Sequence, residues 1–201
     1  MNTLLVLNID QSVDLQVLTE VEDNSFINLY NTYLSVHLRR GDELKCLSAS
    51  GVGYDLYYIA ERVESCLNLQ RYIPAILGHN VDIGLLWHQH WQKIALAEDA
   101  GRPLPSWDWP GMELYFLQNK GSGFDSCLTW LYNDEHGQIV MQVSNAYPWF
   151  FKDAPSADLN ISYDDWLPQY KILYKTIIPR DVAQEWVKGL HGLYARLELN
   201  T

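Results

Sequence analysis

His88 and His90 stand two residues apart between Trp87 and Trp91, in the stretch LLWHQHWQK from Leu85 to Lys93. Imidazoles at this density raise metal chemistry first. With His79 and Asp82 upstream, they form the one group from which a metal-dependent hydrolase could be built. Neutral imidazole and carboxylate hold zinc, and zinc activates water. The spacing argues against that use. Helical residues turn about 100° each, so positions two apart diverge. Ile83, Trp87, His90, Ile94 and Ala97 follow helical steps, and KIALAED continues with good helix formers. The stretch is therefore expected as a structural helix with an aromatic inner face. His90 should lie on its apolar stripe, bonded in the core, and His88 toward a flank. No metal ligand is assigned and no cofactor is expected.

Other reactive arrangements are weaker. SASGVGYDL, Ser48 to Leu56, sets glycines between a short strand and a helix, where free N–H groups could receive an anion. Leu56 occupies the third glycine position of a dinucleotide fingerprint and no P-loop lysine follows, so a plain glycine turn is expected. No GxSxG elbow is present. Cys46, Cys66 and Cys127 are widely spaced with no CxxC, which reads as inert, mostly buried thiols in a reducing compartment. The pairs Asp134-Glu135 and Asp164-Asp165 fall in a turn and at a helix start, where acids serve local structure. The reading leans away from an enzyme.

The loop aromatics point to binding. PSWDWPG places Trp107 and Trp109 around Asp108 in a proline-stiffened loop. AYPWFFKD gathers Tyr147, Trp149, Phe150 and Phe151, with Asp153 and Asp158 following. Rigid rings beside carboxylates present apolar area with little entropy left to lose. Trp107, Asp108, Trp109, Trp149, Phe150, Asp153 and Asp158 are the expected partner-binding residues.

Charge suggests the partner. The chain carries −11, and residues 98–165 hold eleven acids against Arg102, Lys120 and Lys152. Residues 1–24 hold five acids and no base. Such a surface repels phosphate backbones and attracts basic proteins, fastest at low salt. The expectation is a non-enzymatic module recognising a basic protein, a bacterial immunity-type protein being one instance. The alternatives are the hydrolase above and a small-molecule binding module with an aromatic pocket between sheet and helices. MNTLLVLNID has no basic leader region and no apolar run approaches the ~20 residues that span a bilayer, so a cytoplasmic protein with no membrane partner is expected.

The elements that must position these residues follow from periodicity. The 201 residues, 48% hydrophobic, are expected as a single globular domain. Strands are expected at Thr3–Ile9, Val13–Val17 and Glu43–Leu47. Ser25–Arg40 fits both periods; Ser25 as a cap and Arg39-Arg40-Gly41 as a basic last turn with a glycine stop favour a helix. Helices are expected over about 53–68, and from an Asn80 cap to Asp99. Residues 113–145 read as a three-stranded antiparallel meander. Ser162 and Asp165 form a capping box, Ile172–Ile178 a strand, and a helix after Pro179 buries Val182, Trp186, Leu190, Leu193 and Leu197. No internal repeat is visible. The fold class is α+β, an antiparallel or mixed sheet with helices packed on it.

Overall fold

The structure, a computed structural model, describes residues 1–20, 33–52, 55–78, 81–119, 126–147 and 161–199. Its first quarter is an antiparallel meander of β1 (Asn2–Asn8), β2 (Val13–Thr19), β3 (Tyr33–Arg40) and β4 (Glu43–Val52), paired in chain order. The β1–β2 turn is set by Asp10, whose Oδ1 accepts from the backbone N–H of Ser12 at 2.7 Å and of Val13 at 2.9 Å. Short acidic side chains mimic a backbone turn in this way.

The expected helix over Ser25–Arg40 is corrected. Tyr33–Arg40 is a strand, and residues 25–32 lie outside the described residues. Leu34, Val36 and Leu38 bury on one face, held between β2 and β4. Two long-range ladders outweigh local helix signals. Gly41, at φ +58°, is the hairpin turn rather than a helix stop. The strand after it also outruns its expected end at Leu47: the SASGV segment continues β4, with Gly51 opposite Leu34.

The second sheet repeats the plan. β5 (Tyr115–Asn119), β6 (Cys127–Asn133), β7 (Ile139–Asn145) and β8 (Ile172–Ile178) pair antiparallel in order. The expected meander is thus present, extended by a fourth strand, and the fold is α+β with helices on the sheets. Helix α1 (Asp55–Leu67) follows the first meander and α4 (Arg180–Leu199) the second, and the two pack on each other. The sequence shows no self-similarity, yet the order of four strands and a helix occurs twice.

The central strands of the second sheet are buried on both faces. Leu131, Ile139, Met141 and Val143 face a core shared with β1–β4, α1 and α4. Leu128, Trp130, Tyr132 and Val140 face a second core beneath α2 (Ile83–Asp99). From α4, Trp186 enters the first core and its Nε1 donates to the Asn8 carbonyl at 2.8 Å. The sheets meet at β4 and β5, where the Cys46 carbonyl accepts from Asn119 Nδ2 and from Cys127 Sγ, each at 3.3 Å.

Two arginines complete β5. Its register shifts between Tyr115 and Leu117, which turns carbonyls out of the ladder. Arg71 Nη2 donates to the Tyr115 carbonyl at 3.0 Å and Arg62 Nη1 to that of Phe116 at 2.7 Å. Buried Arg71 also donates through Nε to the Leu131 carbonyl at 3.1 Å, and its own carbonyl accepts from Asn133 N at 2.9 Å. These bonds lay the segment after Arg71 alongside the end of β6.

Candidate functional site

The chemistry-bearing residues around α2 resolve into a half-buried polar hub, an exposed tryptophan loop and a cleft. Asp82 makes the hub. Asn80, the expected cap, lies outside the described residues, and Asp82 caps α2 by accepting from Leu85 N at 3.2 Å. The same Oδ1 accepts from Gln142 Nε2 at 2.9 Å and from the Tyr170 hydroxyl at 2.6 Å. Burial and the Asp82 carboxylate hold the Tyr170 phenol far above its usual range. Gly84 lets this hub close: a methyl there would stand 2.5 Å from Ser144 Oγ, 2.6 Å from the Tyr170 hydroxyl and 3.2 Å from Trp130 Nε1. Gln142, Tyr170, Ser144 and Gly84 carry no sequence signal, because they come from separate elements.

The two histidines are placed opposite to expectation. His88 is the fully buried one, while His90 is half-buried. Helical steps fit both stripes, and the aromatic residues that follow β7 decide between them. His88 Nδ1 donates to the Gly84 carbonyl at 2.6 Å, and its Nε2 accepts from Tyr147 N at 3.1 Å. That pair of bonds defines a neutral imidazole. Burial pushes its pKa down to about 4. The ring lies 4.8 Å from Trp166 and 4.9 Å from Trp87, centroid to centroid. Trp166 belongs to α3 (Tyr163–Trp166), begun by the expected box in which Ser162 Oγ accepts from Asp165 N at 3.1 Å. With both nitrogens committed, His88 has no lone pair to give a metal. Among the described residues no three His, Cys, Asp or Glu side chains gather as a metal site, and His79 lies outside them.

The loop tryptophans divide. After α2, Gly101 turns the chain at φ +60° and the loop runs back along the helix. Trp107 stacks edge-on against Trp91 at 5.7 Å yet stays 56% exposed, with Asp108 exposed beside it. Trp109, expected on the same outer surface, is 4% exposed and packs on Trp130 at 5.4 Å. It fills the second core, where it reaches over Gly111 so closely that a methyl on that glycine would meet its ring at 2.4 Å. Tyr147, grouped with the other loop aromatics, is likewise buried, donating its hydroxyl to the Ile161 carbonyl at 2.8 Å. Trp149, Phe150, Asp153 and Asp158 lie outside the described residues.

A cleft of about 520 Å³ opens between Tyr72, Ile73, Gly78 and Val81 on one side and β6–β8 on the other. Tyr72, Tyr132, Val140 and Ile177 wall it, with Asp134 and Glu135 at the β6–β7 turn and Lys175 on β8. Burial, Asp82 and Asp134 together push the Tyr132 phenol up to about 12. No helix among the described residues is long and apolar enough to cross a membrane. Cys66 and Cys127 are buried and Cys46 half-buried, none of the three in a disulfide, and burial raises the Cys66 thiol to about 12. Comparison with protein-family models, curated proteins and solved structures finds no match.

Proposed function

We propose that this chain is a non-enzymatic module that binds a basic protein, with the Trp107–Asp108 turn at the centre of the contact. One observation carries the reading: a large ring, braced from behind by Trp91 and left 56% exposed beside a carboxylate. Such a ring has little conformational freedom left to lose and much apolar area to bury. The surrounding chain adds charge, since residues 98–165 hold eleven acids and three bases. A partner with the opposite charge is drawn in at low ionic strength and released by salt. An immunity-type protein that neutralises a basic toxin is the instance this chemistry fits. Trp149, Phe150, Asp153 and Asp158 extend the proposed surface by sequence.

The test is capture at low salt from native lysate, followed by variants. Trp107→Ala and Asp108→Lys should each release the same basic protein, and the wild-type complex should weaken steeply as salt rises. Asp108→Lys should change stability by less than about 1 kcal/mol, its side chain being exposed, while Trp107→Ala should cost about 1–3 kcal/mol through its lost packing on Trp91. A partner that is acidic, or whose affinity ignores salt and both substitutions, overturns the reading.

A further inference from the structure

A groove of about 520 Å³ runs between β1 and α4 at the outer margin of the first sheet. Among the described residues β1 pairs with β2 alone. The turn after it fixes which backbone groups face β2: Ile9 N donates to the Val13 carbonyl at 2.9 Å. Backbone direction alternates along a strand, so Leu7 also faces β2, while Val6 and Asn8 face outward. Side chains of α4 take carbonyls at both ends of this margin. The Asn8 carbonyl accepts from Trp186 Nε1 at 2.8 Å, and the Leu4 carbonyl from Arg196 Nη2 at 3.4 Å. Val6 lies between them, 42% exposed, with its N–H and its carbonyl both turned to the margin. The same bonds show that α4 runs antiparallel to β1. Asp181 and Glu185, which line the groove, therefore stand at its Asn8 end, and no Lys, Arg or His lines it.

We propose that an extended peptide carrying a basic residue docks here as an added edge strand. Antiparallel pairing lets one guest residue exchange both of its backbone hydrogen bonds with Val6. Side chains alternate across a strand, so the guest residues on either side of that one share a face with Leu5 and Leu7. This is the face on which α4 lies, since Leu5 and Leu7 both approach Gly189. The preceding guest residue falls opposite Leu7, toward the acidic end, and suits lysine or arginine. The following one falls opposite Leu5 and suits an apolar side chain. Arg180, next to Asp181, is turned away to the Leu67 carbonyl at 2.6 Å. Lys188 bonds Glu185 at 2.6 Å, both side chains being exposed, so two carboxylates stand against one cation and the balance stays negative. A second copy of the chain is the poorer guest, because its own β1, NTLLVLN, brings no cation.

Fluorescence anisotropy on the full chain tests this with a labelled, end-capped peptide, threonine-lysine-threonine-leucine-threonine. It should bind saturably. N-methylation of the middle threonine removes the donor to the Val6 carbonyl and should weaken binding at least about tenfold. Norleucine in place of lysine should also weaken it, and Asp181→Asn with Glu185→Gln should erase that difference. Both side chains are exposed, so this double variant should fold as the parent does. Val6→Pro should weaken binding while keeping the β1–β2 ladder, because only an outward N–H is lost. Asp108→Lys should leave binding unchanged; its loss there would move the peptide to the proposed protein contact and overturn this site. In sedimentation the chain alone should be a monomer. A dimer that Val6→Pro dissociates would give the margin to a second copy and overturn the proposal. So would no saturable binding below about 2 mM, equal binding of methylated and parent peptides, or a lysine preference that survives neutralisation of both carboxylates.

Discussion

His88 shows how one buried side chain can set a pH limit. Its folded pKa, near 4, lies below that of a free imidazole. The unfolded chain therefore binds a proton that the folded chain refuses, and stability falls as pH drops. The loss starts near pH 6.5, where the unfolded imidazole titrates, and is complete below about pH 4. At about 1.4 kcal/mol per unit, it reaches roughly 3 kcal/mol. Urea unfolding of wild type and His88→Gln at pH 7 and pH 4.5 checks this. The variant should be the less stable at pH 7, having lost a fitted ring, and should lose less on acidification. Equal pH slopes would remove the imidazole from the explanation. The sequence offered both histidines on plausible stripes. What chose His88 was Tyr147, far along the chain, whose backbone N–H needs an acceptor. Contacts of that kind leave no local trace.

At the level of elements, glycines within helices separate close approach from plain propensity. Gly84→Ala forces a methyl against Ser144 Oγ and the Tyr170 hydroxyl, so a loss of about 1–3 kcal/mol is expected. Gly192→Ala in α4 meets nothing within 4 Å and should stabilise by about 0.5–1 kcal/mol through helix propensity. Thermal melts of the two variants should move in opposite directions; movement in the same direction would contradict the tight fit at α2. Helices α1, α2 and α4 and the strands of the meander were legible because each carries a clean period and punctuation. β3 was not. The spacing of its Tyr33 and His37 mimics a helix, and its strand identity comes from β2 and β4 on either side. Trp109 was misread for a related reason: prolines on both sides suggest exposure, but its ring is what fills the space over Gly111 and against Trp130.

For the molecule as a whole, the decisive feature is a hydrophobic core to which both sheets contribute. Trp186 sits in it from α4 while bonding to Asn8 on β1. Trp186→Ala should cost about 3–5 kcal/mol. Hydrogen exchange should then quicken in β2 and in β7 together, since each loses the same support. Faster exchange confined to one sheet would show that the two halves are stabilised separately. The division of labour between charge and shape is also a whole-molecule matter. Asp14 adds to the acidic count of the N-terminal region but is buried and paired with Arg39 across β2–β3, so it contributes nothing to an outer field. Counting the five acids of residues 1–24 alone therefore overstates the negative charge which that region offers to a partner.

Among the described residues, β8 pairs with β7 alone and has no strand on its other side. A bare margin of backbone amides and carbonyls is a template on which a stray chain can polymerise. Lys171 and Lys175 deter that, because two stacked copies would bring like charges together and leave ammonium groups poorly hydrated. Lys175, which lines the cleft, thus also guards this margin against fibre growth, and removing it should raise the chain's tendency to aggregate.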